Sequence, residues 1–123
     1  MEIEVSNGEI ADKLTIIMIK LERITDESKV TNLRKEYEVL DRAVAKIISK
    51  EDPLFKGLLE VNTQLWEIED EIRELERRKD FGQRFIETAR SVYFRNDHRA
   101  ELKREINLKT GSGLIEEKSY GKY

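Results

Sequence analysis

The sequence of 123 residues contains no cysteine, one histidine and one proline. The absence of cysteine excludes disulfides, thiolate nucleophiles and cysteine-ligated zinc, and it suits a reducing compartment. The single histidine, His98, excludes any site that needs two imidazole groups. No apolar run approaches the roughly 20 residues of a membrane-spanning helix, and the acidic N-terminus has no signal-peptide core. We therefore expect a cytoplasmic protein with no membrane partner.

Charged residues make up 40% of the chain, and the net charge is −3. This composition is typical either of a disordered chain or of long helices with charged solvent faces. The periodicity of the apolar residues favours helices. The length fits one helical domain over 1–123, with an irregular C-terminal tail at 111–123.

The spacing of the apolar residues predicts an all-α bundle of four or five helices. A capping box at 6–9 begins the first helix, which is apolar on most sides and should be central. A heptad seam over 30–47 predicts the second helix, and a longer seam predicts a third over 53–78. Because the loop between them is short, we expect a long antiparallel helix hairpin over about 28–78.

The region after residue 82 is predicted either as one helix that bends at Asn96 or as two helices separated there. The glycines within 111–113 end this region, since glycine adopts the left-handed conformation of a helix C-terminus. Residues 3–5 alternate like a short strand, and the tail could pair with it.

The third helix carries a second apolar stripe beside its seam, and this stripe needs a partner of its own. The first helix, the fourth helix or another subunit could cover it. We favour a non-enzymatic interaction or assembly module that forms homo-oligomers, with another protein as an alternative partner. The predicted contact residues are Phe55, Leu59, Trp66, Tyr93 and Phe94.

The charge is unevenly distributed along the chain. Residues 1–76 hold 19 acidic and 11 basic side chains, whereas residues 77–109 hold ten basic and five acidic ones. We expect the basic segment to pair with the acidic helices of its own chain or of a second copy. RNA binding through 77–109 is a third interpretation, which the pI of 5.4 disfavours.

An alternative function is a small protein that handles phosphates or nucleotide sugars, with Mg²⁺ as an option. A basic helical face interleaved with polar groups is the kind of surface that binds an anion. The candidate anion-binding residues are Asn96, Asp97, Arg99, Lys103 and Arg104.

Two Glu-x-x-Asp pairs place two carboxylates on one helical face: Glu9 with Asp12, and Glu67 with Asp70. Such faces could hold Mg²⁺ between helices. In a chain this acidic the pattern also arises by chance, so these four are weak metal candidates and we expect no cofactor.

The densest polar cluster of the sequence surrounds His98. His98 beside Asp97 could act as a general base, but local capping explains the same residues with fewer assumptions. We therefore predict no catalytic residue.

Six segments carry a resemblance to known sequences: IEVSNGEIADK at 3–13, LWEIED at 65–70, DFG at 80–82, NDHRA at 96–100, KREIN at 103–107 and EEKSY at 116–120. With them, most of the chain resembles a domain-of-unknown-function family of short, helical bacterial proteins without an established activity. These segments coincide with helix caps and polar clusters. The resemblance therefore favours the following site candidates: Glu9, Asp12, Asn96, Asp97, Arg99, Lys103 and Arg104.

Overall fold

The computed structural model describes residues 3–113. Four α-helices follow one another in this range: α1 (Asn7–Arg23), α2 (Glu27–Ala45), α3 (Pro53–Arg77) and α4 (Gln83–Thr110). The predicted all-α class is confirmed, and the region after residue 82 is one continuous helix. Residues 3–5 form no strand, and the tail proposed to pair with them lies largely outside the described residues.

Side-chain caps determine where the first three helices begin. The N–H of Glu9 donates to Ser6 Oγ at 3.2 Å, while Asp26 and Asp52 accept backbone N–H groups at the start of α2 and α3. At the other end of the chain, α4 stops at Gly111, which adopts the left-handed conformation at φ +67°. These positions agree with the boundaries predicted from the sequence.

Helix α1 is the central element of the bundle. It packs against α2, α3 and α4, and α3 also packs against α4. Within the described residues, α2 and α3 make no close backbone contact, so the helix pairing differs from the long hairpin predicted over 28–78. The physical reason is that α1 is apolar on most sides and therefore takes the position between them.

The hydrophobic core lies towards one end of the bundle. Its buried side chains are Ala11, Leu14, Val44, Ile48, Phe55, Leu58, Val61, Leu102 and Ile106. Because Phe55 is only 1% exposed within a single chain, it is a core residue and not the intersubunit contact that the sequence suggested. Leu59 and Trp66 are half-buried, whereas Tyr93 and Phe94 are exposed.

Helices α3 and α4 extend beyond α1. Helix α1 runs antiparallel to α4, with Gly8 beside Asn107 and Asp12 beside Arg99. In an antiparallel pair, each step forward along α1 corresponds to a step back along α4. The last residue of α1 therefore lies level with about residue 88 of α4. We call residues 67–95, the half of the α3–α4 pair away from the core, the distal hairpin.

Candidate functional site

A buried polar network joins α1, α3 and α4. Asp12 is fully buried, and Arg99 binds both of its carboxylate oxygens: Nε donates to Oδ1 at 2.9 Å, and Nη2 donates to Oδ2. Asn62 Nδ2 donates to Asp12 Oδ1 and to Thr15 Oγ1, each at 2.8 Å. Among the described side chains no buried polar atom lacks a partner, which is the condition under which a buried ion pair is tolerated.

Further contacts continue this network towards the start of α1. Lys103 Nζ donates to Glu9 Oε2 at 2.6 Å, and the N–H of Gly8 donates to Asn107 Oδ1 at 2.6 Å. A Cβ on Gly8 would lie 2.3 Å from the carbonyl oxygen of Lys103, so only glycine permits this approach. The Glu9 carboxylate thus forms an ion pair with Lys103 on α4, whereas the sequence predicts that it caps the start of α1.

A cleft of about 310 Å³ opens beside the network, between α1, α3 and α4. Its lining combines apolar and polar side chains: Ile16, Ile19, Leu65, Trp66 and Val92 with Asn62, Glu69, Asn96 and Arg99. A smaller cleft of about 230 Å³ shares Trp66 and Glu69 with it and adds Asp70 and Arg73. A mostly apolar concavity with a few placed polar groups is typical of ligand sites.

The five residues predicted to bind an anion do not converge. Asn96 and Arg99 line the cleft, and Lys103 lies one turn further along α4 at Glu9. Asp97 and Arg104, seven residues apart, share a different face of α4. The charges of Arg99 and Lys103 are balanced by carboxylates of α1, so the cleft lacks the excess of positive charge that the anion hypothesis requires.

The predicted carboxylate pairs do not form a metal centre in the part of the chain that the structure describes. No group of three or more potential metal ligands occurs there. Glu9 and Asp12 bind cationic side chains instead. Glu67 accepts from Arg23 at 3.3 Å, and Asp70 lines the smaller cleft.

The basic segment 77–109 pairs with acidic residues of its own chain, as its charge predicted. In addition to the two pairs with α1, Arg84 binds Glu71 and Lys109 binds Asp52. The hydrogen bond from Lys109 is the main cause that lowers the pKa of Asp52 below its ordinary value, and the N–H of Leu54 adds to it. In the same way, Glu71 raises the pKa of Arg84.

Sequence reasoning missed Asn62 and Thr15, which complete the buried network. A signal for Asn62 was present, because it interrupts the second apolar stripe of α3 between Leu59 and Trp66. A polar residue inside an apolar stripe is buried by its neighbours and therefore needs a hydrogen-bond partner. Thr15 lies among apolar residues of α1 in the same way.

The whole chain, residues 1–123, matches the model of the family of unknown function DUF6165, and the chain belongs to that family. This match confirms the predicted resemblance to a domain-of-unknown-function family. No curated protein and no solved structure matches the chain. In the described range 3–113, none of the helices combines the length and the apolar composition that a membrane span requires.

Proposed function

We propose that the protein is a non-enzymatic, cytoplasmic interaction module that assembles with a second copy of itself through the distal hairpin. The observation that carries this proposal is the low burial of the hairpin. Of residues 67–95, all of which the structure describes, only Leu75 and Thr88 are buried. The large apolar side chains Phe81 and Ile86 are 53% and 47% exposed. Exposed large apolar side chains on a weakly buried hairpin favour an interaction surface.

A second hairpin is the partner that this geometry favours. Helices gain most of their stability from packing an apolar face against other elements, and two helices alone give little of it. Beyond the end of α1, α3 and α4 have mainly each other as neighbours. Two such hairpins placed together would form a four-helix bundle and cover the exposed side chains of Phe81 and Ile86 in both copies.

The charge distribution of the hairpin favours a two-fold arrangement. Its α3 part, residues 67–76, holds six acidic side chains and one basic one, whereas residues 77–95 hold six basic and two acidic ones. Four of the six acidic side chains already pair within the chain, as Glu71 does with Arg84, whereas no ion pair among residues 3–113 includes Arg78 or Lys79. A two-fold axis would set the acidic helix of one copy beside the basic helix of the other.

RNA or anion binding through the basic segment receives less support. The same segment forms ion pairs with Glu9, Asp12 and Asp52 of its own chain, which reduces the positive field available to a phosphate. The cysteine-free composition supports the cytoplasmic location.

The test is sedimentation velocity at micromolar concentration. We expect a species of twice the 14.5 kDa chain mass for the wild type, and a shift towards the monomer for Ile86→Ser. The matched control is Val39→Ser, because Val39 is also exposed (62%) but lies on α2. A monomeric wild type, or equal dissociation by both substitutions, would contradict the proposal.

A further inference from the structure

We infer that the cleft beside Trp66 binds an uncharged planar heterocycle that carries both N–H donors and hydrogen-bond acceptors, as a nucleobase does. This inference goes beyond the proposed self-association and does not depend on it. Three features of the cleft carry it: an acceptor of fixed orientation, an apolar wall that includes Trp66 and a balanced charge.

The fixed acceptor is the carbonyl oxygen of Asn62. Thr15 Oγ1 donates its one proton to the backbone oxygen of Asp12 at 2.7 Å, so towards Asn62 this hydroxyl can only accept. Asp12 Oδ1 is also an acceptor, so the Asn62 nitrogen must face both groups, and the orientation of the amide is settled.

That orientation turns the Asn62 carbonyl oxygen away from the network. The residue is 6% exposed and lines the cleft. Among residues 3–113, the hydrogen bonds of its side chain are all donated by Nδ2, and none reaches the oxygen. Since no buried polar atom of the described side chains lacks a partner, the oxygen is accessible from the cleft. A preoriented acceptor in a mostly apolar cleft favours a ligand with a hydrogen-bond donor such as N–H, because a purely apolar ligand would leave the oxygen unpaired.

The apolar wall of the cleft includes the indole of Trp66. Ile19 and Val92 share the lining with it, so a flat ring in the cleft would contact apolar side chains as well as the indole. Stacking on an aromatic side chain is a general way in which proteins bind bases. The cleft volume of about 310 Å³ is at the lower end for ligand sites and suits a base or a nucleoside.

A second amide extends the set of polar groups at the cleft. Asn96 lines it, and the side chain is exposed on α4. An asparagine amide offers a donor and an acceptor side by side, which matches the adjacent donor and acceptor on the edge of a base. Asn62 and Asn96 together can therefore form hydrogen bonds with a ring that carries both donors and acceptors.

The charge of the cleft favours an uncharged ligand. Arg99 is bound by the carboxylate of Asp12, and Glu69 is paired with Arg73 at 3.1 Å. No excess of positive charge is left in these pairs, so a phosphate on the ligand should add little affinity. The site thus differs from the anion site that the sequence suggested.

The test is a fluorescence titration, since Trp66 is the only tryptophan of the chain and lies in the cleft. The probes are adenosine, guanosine, cytidine and uridine, their 5′-monophosphates and toluene. We expect saturable quenching by at least one nucleoside, no tighter binding of its monophosphate, and weaker binding of toluene. Asn96→Ala should weaken the nucleoside about five- to tenfold, whereas Arg95→Ala, its exposed neighbour outside the lining, should leave the affinity unchanged.

Three outcomes would overturn the inference: no saturable change with any nucleoside, toluene binding as tightly as the nucleosides, or a monophosphate binding much more tightly. Asn62→Leu should abolish binding, and if that variant does not fold, Asn96→Ala still decides the result. Repeating the titration with Ile86→Ser separates ligand binding from self-association, because each can then fail without the other.

Discussion

Arg99 on α4 binds both carboxylate oxygens of Asp12 on α1, although 87 residues separate the two in the sequence. The pair lies where the hydrophobic core ends and the cleft begins. It fixes the register of α1 on α4, and through Asp12 it also orients the amide of Asn62. One contact thus links the packing of three helices to the shape of the candidate site.

Removing one partner of this pair should strongly destabilise the fold. We expect Arg99→Ala to lower the free energy of unfolding by about 3–5 kcal/mol, because the Asp12 carboxylate would remain buried without its counter-charge. The control is Arg23→Ala, which breaks the exposed pair with Glu67 and should cost less than about 1 kcal/mol. Urea unfolding followed by circular dichroism measures both, and equal losses would contradict the structural role of the buried pair.

Two glycines should respond to alanine substitution with opposite signs. Gly8→Ala should lower the free energy of unfolding by about 1–3 kcal/mol, because the new Cβ would meet the Lys103 carbonyl oxygen at 2.3 Å. Gly57→Ala should raise it by about 0.5–1 kcal/mol, because the nearest atoms are Leu102 methyl groups at 3.5 Å and alanine favours a helix interior. Thermal unfolding of the two variants checks the pair, and stabilisation by Gly8→Ala would contradict the close helix approach.

The caps of α2 and α3 should make stability depend on pH in the acid range. The pKa of Asp26 is lowered first by the hydroxyl of Ser28 and then by backbone N–H groups, and the pKa of Asp52 is lowered first by Lys109. For a carboxyl whose folded pKa lies below the unfolded value of about 3.9, the stabilisation is complete above that value. It is lost as the pH falls through the folded pKa.

This pH dependence can be measured by urea unfolding at a series of pH values below neutrality. Asp26→Asn keeps an N-cap acceptor but removes its titration, so we expect a shallower decrease of stability on acidification for this variant. An unchanged slope would show that the Asp26 cap contributes nothing to the acid sensitivity.

The helices could be predicted from the sequence because their signals are local. The capping box at 6–9 and the glycine at 111 mark helix ends by their own chemistry, and the structure places a helix start and a helix end there. The partner of each helix could not be predicted, since a heptad seam shows that a helix packs but not against which neighbour. The seams therefore predict that α2 packs against α3, whereas in the structure α1 lies between these two helices.

The candidate site could be predicted only in part for the same reason. The Glu-x-x-Asp spacing points to Asp12, and the basic helical face points to Asn96 and Arg99. The structure brings Asp12 and Arg99 into contact and Asn96 to the same cleft. The partners of charged residues across helices depend on the helix register, which no local pattern reveals. For that reason the sequence predicts that Lys103 binds an anionic ligand, whereas in the structure it forms an ion pair with Glu9.

Self-association through the distal hairpin is tested most directly by the distance between two copies of one spin label. The chain has no cysteine, so Gln83→Cys on the hairpin and Lys35→Cys on α2 each provide a single labelling position. Double electron–electron resonance at micromolar concentration should give a defined intersubunit distance for the label at residue 83, shorter than that for the label at residue 35. No intersubunit coupling at residue 83, or a shorter distance at residue 35, would contradict assembly through the hairpin.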